Sequence, residues 1–344
     1  MKYASITLAV FLALAFAPVS RADSRAGMPS SVPRYASDLF PGFDSDAKFV
    51  PERKEPRWFS WWNGPKKDNA AEQLEWADAC RDKGSCGKAV KAYDALVREW
   101  PSSPEAPLAQ KRLADLLFEK EREYIDAFDE YRYLLDYYSA QCDYAAVAER
   151  LFETADAMRS AGKRLLLMRF ANTTEVRKAY EAAILRAPGS ASAPKAMLAT
   201  ARLFVDENEY VKSAEVCETL RNAYPRSPEA REALLLEADM RMKVLDMHGY
   251  NNSRARDTVL FLKASLETPM DQDARKTLSG HLAKAESLAE EEAWKSAVFY
   301  DVKTRPASSA AEAYRRFLSE YPVGVHADAA RSRLSEIERG LSAK

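Results

Sequence analysis

A chain of 344 residues with 51 Lys+Arg, 52 Asp+Glu and 3 His carries a formal net charge of −1. That balance excludes the basic footprint needed to grip a polyphosphate, so nucleic acid is not an expected partner. A hydrophobic content of 47% with 30% charged residues excludes both a disordered tail and a multi-span membrane protein, and only 11 Gly and 17 Pro favour helices over sheet.

The chain opens as an export signal. Lys2 begins a short basic region, Ala4 to Ala17 form an apolar stretch, and Ser20-Arg21-Ala22 offers small residues at both recognition positions of a signal peptidase. Cleavage is predicted after Ala22, which removes two basic residues and no acid and leaves a mildly acidic exported chain. The apolar stretch is shorter than the roughly 18–20 residues of a membrane helix. A lipidated cysteine would directly follow the cleavage point, but the first cysteine is Cys80, so no lipid anchor by that route is expected.

Residues 23–69 read as an extended tether broken by Pro29, Pro33, Pro41, Pro51, Pro56 and Pro65. Its exception is the aromatic run Trp58, Phe59, Trp61 and Trp62. Such a patch either caps the open end of the following domain or meets a partner or membrane surface.

From about residue 70 to 343 helix-period segments alternate with similar breaks. Trp100-Pro101-Ser102-Ser103-Pro104-Glu105-Ala106 is echoed by Tyr224-Pro225-Arg226-Ser227-Pro228-Glu229-Ala230, with looser forms at Ala187-Pro188, Tyr321-Pro322, Tyr138-Ser139 and Thr268-Pro269. Aligned on these joints, Tyr93, Tyr131, Tyr180, Cys217, Phe261 and Tyr314 share one position. Ala89, Ala127, Val176, Ser213, Asp257 and Ala310 stand four residues earlier, and Leu96, Leu134, Ala183, Leu220, Ala264 and Phe317 three later. Positions i, i+4 and i+7 share a helix face, so each unit reads as a helical hairpin whose second helix ends before the joint. The predicted pairs are 70–82 with 86–99, 104–120 with 123–138, 143–160 with 174–187, 190–206 with 209–223, 227–247 with 253–267, and 271–300 with 307–320. A last helix is predicted at 325–340. No hairpin buries its faces alone, so the units should stack into a solenoid.

The pattern resembles the tetratricopeptide repeat, with Ala77, Gly84, Ala89, Tyr93, Leu96 and Pro101 on that repeat's small, turn, small, aromatic, apolar and proline positions. The expected fold is all-α, a right-handed superhelical solenoid of about six tetratricopeptide-like hairpins plus a C-terminal capping helix. More narrowly, the Tyr-Pro-x-Ser-Pro-Glu-Ala joint and the segment Leu288 to Tyr321 are similar to the BamD family, the periplasmic tetratricopeptide component of the outer-membrane β-barrel assembly machine. That resemblance implies a scaffold at the periplasmic, inner face of the outer membrane. Its implied partners are envelope proteins, the barrel-insertion subunit and unfolded outer-membrane proteins among them. Two features depart from the family: the absent lipidated cysteine and one hairpin more than usual. Projecting the repeat onto the first two hairpins places Leu74, Asp78, Arg81, Lys111 and Asp115 along a peptide groove.

In an oxidising compartment Cys80 and Cys86, at the facing ends of the first two helices, are expected to form a disulfide, where this repeat usually sets two facing aromatics. The rival, a redox-active pair, lacks the two-residue spacing of oxidoreductases. Cys142 and Cys217 are expected on helices, free or buried. His248, His281 and His326 lack metal-ligand spacing, and neither a phosphate-binding nor a nucleophile motif occurs, so neither cofactor nor catalysis is expected. Leu165, Leu166, Leu167 and Phe170, in a basic loop inside the third hairpin, either pack back on the solenoid or touch a partner or anionic headgroups. Besides the β-barrel assembly scaffold, two other functions stay open: a periplasmic cell-division or envelope adaptor, and a glycan-binding outer-membrane module using the tryptophan cluster.

Overall fold

The computed structural model describes Phe43 and residues 52–55, 64–161, 172–247, 252–303 and 307–342. The expected leader at 1–22, the aromatic run Trp58, Phe59, Trp61 and Trp62, the loop residues Leu165, Leu166, Leu167 and Phe170, and His248 lie outside the described residues. Among the described residues every regular element is helical: α1 (Ala70–Asp82), α2 (Cys86–Glu99), α3 (Ala106–Leu116), α4 (Tyr124–Tyr137), α5 (Tyr144–Ala161), α6 (Thr173–Arg186), α7 (Ala193–Asp206), α8 (Tyr210–Ala223), α9 (Pro228–Met247), α10 (Asn252–Leu266), α11 (Gln272–Lys303), α12 (Ala307–Glu320) and α13 (Ala327–Ser342). None is long and apolar enough to cross a membrane.

Local chemistry explains where these helices start and turn. Asn69 caps α1 by accepting from the Glu72 amide, and Asn172 with Glu175 forms a reciprocal capping box on α6. Gly84, Arg122 and Asn208 each stand two positions before a second helix, at φ of 72°, 57° and 62°. The tight turn requires this left-handed backbone, which glycine adopts freely and asparagine tolerates. Before Arg122 the chain makes a π turn over Leu117–Glu121, so α3 is shorter than the predicted 104–120.

The joints between hairpins are built alike. The Ser103 amide donates to the Trp100 carbonyl and Ala106 to Ser103, and Ser227 to Tyr224 and Ala230 to Ser227 follow the same pattern. These turns consume residues that the sequence reading gave to the next helix, which is why α3, α7 and α13 begin two or three residues late. Pro107 and Pro194 sit in the first turns of α3 and α7, where no amide is needed.

Consecutive helices pack in chain order, giving a helical-hairpin solenoid. The shared ring position is its interior: Tyr93, Tyr131, Tyr180, Cys217 and Tyr314 are buried, as are Ala89, Ala127, Val176, Ser213 and Ala310 beside them. The fifth hairpin departs. There Ala255, Thr258, Leu262 and Ser265 face inward, while Asp257 and Ala264 are exposed and Phe261 is half-buried. The Thr268-Pro269 joint is therefore one residue out of register with the others. Phe261 instead lies beneath the guanidinium groups of Arg221 and Arg241, 5.4 and 4.6 Å from its ring centre. α10 also packs chiefly on α11 rather than on its own partner α9.

The short described stretch before the solenoid is held to it. The Lys54 ammonium reaches Asp94 on α2 (3.2 Å) and Glu130 on α4 (2.5 Å), its amide donates to the Tyr133 hydroxyl (3.1 Å), and Arg98 donates to the Glu55 carbonyl (3.2 Å). Burial raises the Asp94 carboxyl, but Lys54 and Arg98 outweigh it and hold the group below its usual range. An acid with a depressed folded pKa stabilises the docked state above its unfolded pKa of about 3.9, and loses that contribution as pH falls through the lower folded value. The protection factor of the amide at position 54 is therefore expected to fall about tenfold in Lys54→Ala, and to fall in the native chain below roughly pH 4. An unchanged factor in hydrogen exchange would contradict this docking.

Candidate binding face

In four of the six hairpins the buried tyrosine of the second helix donates its hydroxyl to an aspartate of the first. Tyr93 bonds Asp78 (2.6 Å), Tyr131 bonds Asp115 (2.6 Å), Tyr180 bonds Asp156, and Tyr314 bonds Asp301 (3.1 Å). Burial first and the aspartate second push the Tyr93, Tyr131 and Tyr180 phenols well above their ordinary range, so each stays a donor. Tyr314 is pushed up to about 12.

Each aspartate then meets a cation, forming a polar rung. Asp78 accepts from Arg112 of the next hairpin (2.5 Å) and lies 3.3 Å from Arg81. Asp115 is 2.6 Å from Lys111, and Asp156 is 3.4 Å from Arg159. Asp301 receives both Nε and Nη2 of Arg333 on α13, which fastens the capping helix. The predicted groove residues thus form two clusters, Asp78 with Arg81 and Asp115 with Lys111, and Arg112 of α3 reaches back to the first of them. Leu74 lies on the same helix, half-buried against the hydrophobic core.

Other bracing groups have no counterpart in the sequence reading. Gln73 and Gln110, both buried, donate across their hairpins to the carbonyls of Ala92 and Glu130, each preceding a core tyrosine. The aromatic residue of one joint also caps the proline carbonyl of the joint before it: Tyr138 donates to Pro101 (2.8 Å) and Tyr224 to Pro188 (2.5 Å). The Trp/Tyr-Pro repetition was the available signal for the second device. Where Cys217 replaces the ring of the fourth hairpin, Arg221 of that hairpin and Arg241 of the next both grip the buried Glu237 on α9.

The cysteines are thiols in this structure. Cys80 is buried at the end of α1 and Cys86 half-buried at the start of α2; Cys142 lies in the turn before α5 rather than on a helix. Burial pushes the Cys217 thiol up to about 12, which makes it inert. If Cys80 and Cys86 pair on export, the purified chain should be lighter by two hydrogens than its reduced form, and Cys80→Ser should lose about 2 kcal/mol of stability under oxidising but not reducing conditions. Identical masses would dismiss the bond. His281 bonds Asp239 (2.7 Å), and His326 stacks on Trp294 at 4.9 Å while bonding Glu291 (2.8 Å). Among the described residues no group of three or more His, Cys, Asp or Glu side chains is placed to hold a metal.

These features define a class: a solenoid of helical hairpins with ring-anchored polar rungs. No protein-family profile matches the chain, and no curated protein sequence does. Among solved structures it is similar to a tetratricopeptide repeat protein from Parabacteroides merdae, with 13% identity, a TM-score of 0.30, and coverage of 78% of this chain and 98% of that one. A MamA RS-1 double mutant (12%, TM-score 0.29, 66% and 97% covered) and PilF of Pseudomonas aeruginosa (15%, 0.25, 77% and 97%) are also similar. Similarity of this depth assigns no function.

Proposed function

We propose that the chain is an exported, non-catalytic scaffold that binds segments of other proteins along its rung-bearing face, serving outer-membrane β-barrel assembly from the periplasmic side. The observation that supports the scaffold reading is the rung series. The first helices of the first three hairpins and of the sixth each hold a partly exposed aspartate anchored from below by a buried tyrosine. A partner peptide meeting such a face finds its counter-charges already ordered, which lowers the entropy cost of binding. The narrower role in β-barrel assembly is supported by the Tyr-Pro-x-Ser-Pro-Glu-Ala joint and the Leu288 to Tyr321 segment. Its partners would be the barrel-insertion subunit and unfolded outer-membrane proteins, with no cofactor, and with the membrane approached peripherally.

A photo-crosslinker placed at Lys111 in the full chain, activated in the cells that make it, tests both levels. Recovery of the barrel-insertion subunit or unfolded barrel proteins is the expected result. Recovery of other envelope proteins would keep the scaffold and discard the assembly role, and recovery of no protein at all would sink the scaffold.

A further inference from the structure

Lys54 sits in a pocket built by the second helices of the first two hairpins. Its ammonium meets Asp94 Oδ1 of α2 at 3.2 Å and Glu130 Oε2 of α4 at 2.5 Å, and lies 5.3 Å from the ring centre of Tyr133 on α4. Both acids are braced. Arg98 holds Asp94 Oδ2 at 2.8 Å, and Gln110 of α3, which has no exposed surface, donates to Glu130 Oε2 at 2.5 Å. The side chains of Lys54, Asp94 and Glu130 are only 11%, 16% and 19% exposed.

Two carboxylates held at this depth around one point are costly without a cation between them, since each disfavours the charge of the other away from water. The pocket therefore calls for a positive charge whether or not Lys54 supplies it. A lysine suits it, because one compact ammonium donates to both acids beside the Tyr133 ring. An arginine fork would seek both oxygens of one carboxylate, and Arg98 already holds one of Asp94's. Beyond the ammonium, the contacts given for this stretch are to main chain. The Lys54 amide donates to the Tyr133 hydroxyl and the Glu55 carbonyl accepts from Arg98, whereas Glu52, Arg53 and Glu55 are exposed. Pro56 disfavours helical backbone at Glu55, which keeps the stretch extended. One side chain in a pocket with backbone bonds beside it is a mode by which extended peptides are recognised. None of these contacts requires that the peptide belong to the same chain.

We propose that this pocket is a lysine-reading site for extended segments of other proteins, and that Lys54 is an internal stand-in that holds it closed. Tethering gives Lys54 an effective concentration on the order of millimolar, so a free segment enters only where the stretch is released. The site uses second helices rather than the rung-bearing first helices, and it does not rest on the scaffold reading. Phe43, upstream of the stretch and 5% exposed in the core, is a second anchor for it.

The test uses the full mature chain, native and opened in two ways. Lys54→Pro deletes both the ammonium and the amide that bonds Tyr133, and Lys54→Pro with Phe43→Ser also releases the upstream anchor. Three labelled peptides are followed by fluorescence anisotropy: residues 51–56 with capped ends, and the same peptide with norleucine or with arginine in place of its lysine. The lysine peptide is expected to bind an opened chain saturably and about tenfold more tightly than it binds the native chain. The norleucine and arginine peptides should bind about tenfold more weakly, and Asp94→Asn added to the opened chain should weaken the lysine peptide by a similar factor. Circular dichroism checks that each variant is folded. Absence of saturable binding to both opened chains, or equal binding of the lysine and norleucine peptides, overturns the pocket. Equal binding of the arginine peptide overturns the choice of lysine, and equal binding to native and opened chains overturns the stand-in. Crosslinking from Lys111 remains a separate readout, so the scaffold can survive the loss of this site.

Discussion

Tyr131→Ala is expected to remove about 3–5 kcal/mol of stability, the cost of deleting a fully buried aromatic side chain and leaving its cavity. The ring has no exposed surface, packs beside Ala127 and Leu134, and donates to Asp115. Tyr131→Phe separates the two contributions. It keeps the ring and deletes one hydrogen bond to a charged group, for about 1.5–3 kcal/mol, with Lys111 still holding Asp115. Because stacked hairpins contribute mostly to their neighbours, the loss should appear first in the second and third hairpins. Urea unfolding combined with hydrogen exchange measures both size and place; a cost for Tyr131→Ala no larger than for Tyr131→Phe would contradict the packing role.

The second large effect concerns Arg186 on α6 and Asp136 on α4. They form a two-pronged pair, Nε to Oδ1 at 3.0 Å and Nη2 to Oδ2 at 2.7 Å, with side chains only 2% and 3% exposed. Burial pushes the Asp136 carboxyl up, and Arg186 opposes that push. Arg186→Met strands a buried carboxylate and should cost about 3–5 kcal/mol, whereas adding Asp136→Leu should recover most of the loss. The pH dependence has a definite sign. Without Arg186 the folded pKa of Asp136 rises further above its unfolded value of about 3.9, so the variant is relieved at low pH and loses stability as pH climbs through and above that value. Thermal unfolding across pH 3–8, the window that brackets this titration, reads the difference, and a pH-independent loss would contradict the account.

The helices and the shared ring position were legible because burial imposes a 3.6-residue period and prolines mark each joint. The partners of the rings were not. Tyr93 finds its aspartate 15 residues away, Tyr131 16, Tyr180 24 and Tyr314 13. The distance across a hairpin depends on helix and loop length, so no fixed spacing announces the pair. Asp78 and Asp115 were placed on the groove by projection, but their role as ring-anchored rungs came only with the second helix in position. Phe261 shows the opposite failure. Its aromatic character suits the core slot, yet the irregular Thr268-Pro269 joint puts Leu262 inside and leaves Phe261 to the arginines.

The most direct test of the rung-bearing solenoid is a double-mutant cycle on Asp78→Ala and Tyr93→Phe, with stability read by urea unfolding. If the tyrosine and the aspartate are coupled across the hairpin as described, the interaction energy should be about 1.5 kcal/mol or more, as for a hydrogen bond to a charged group. Additive losses with no coupling would mean that the face is not anchored by its rings.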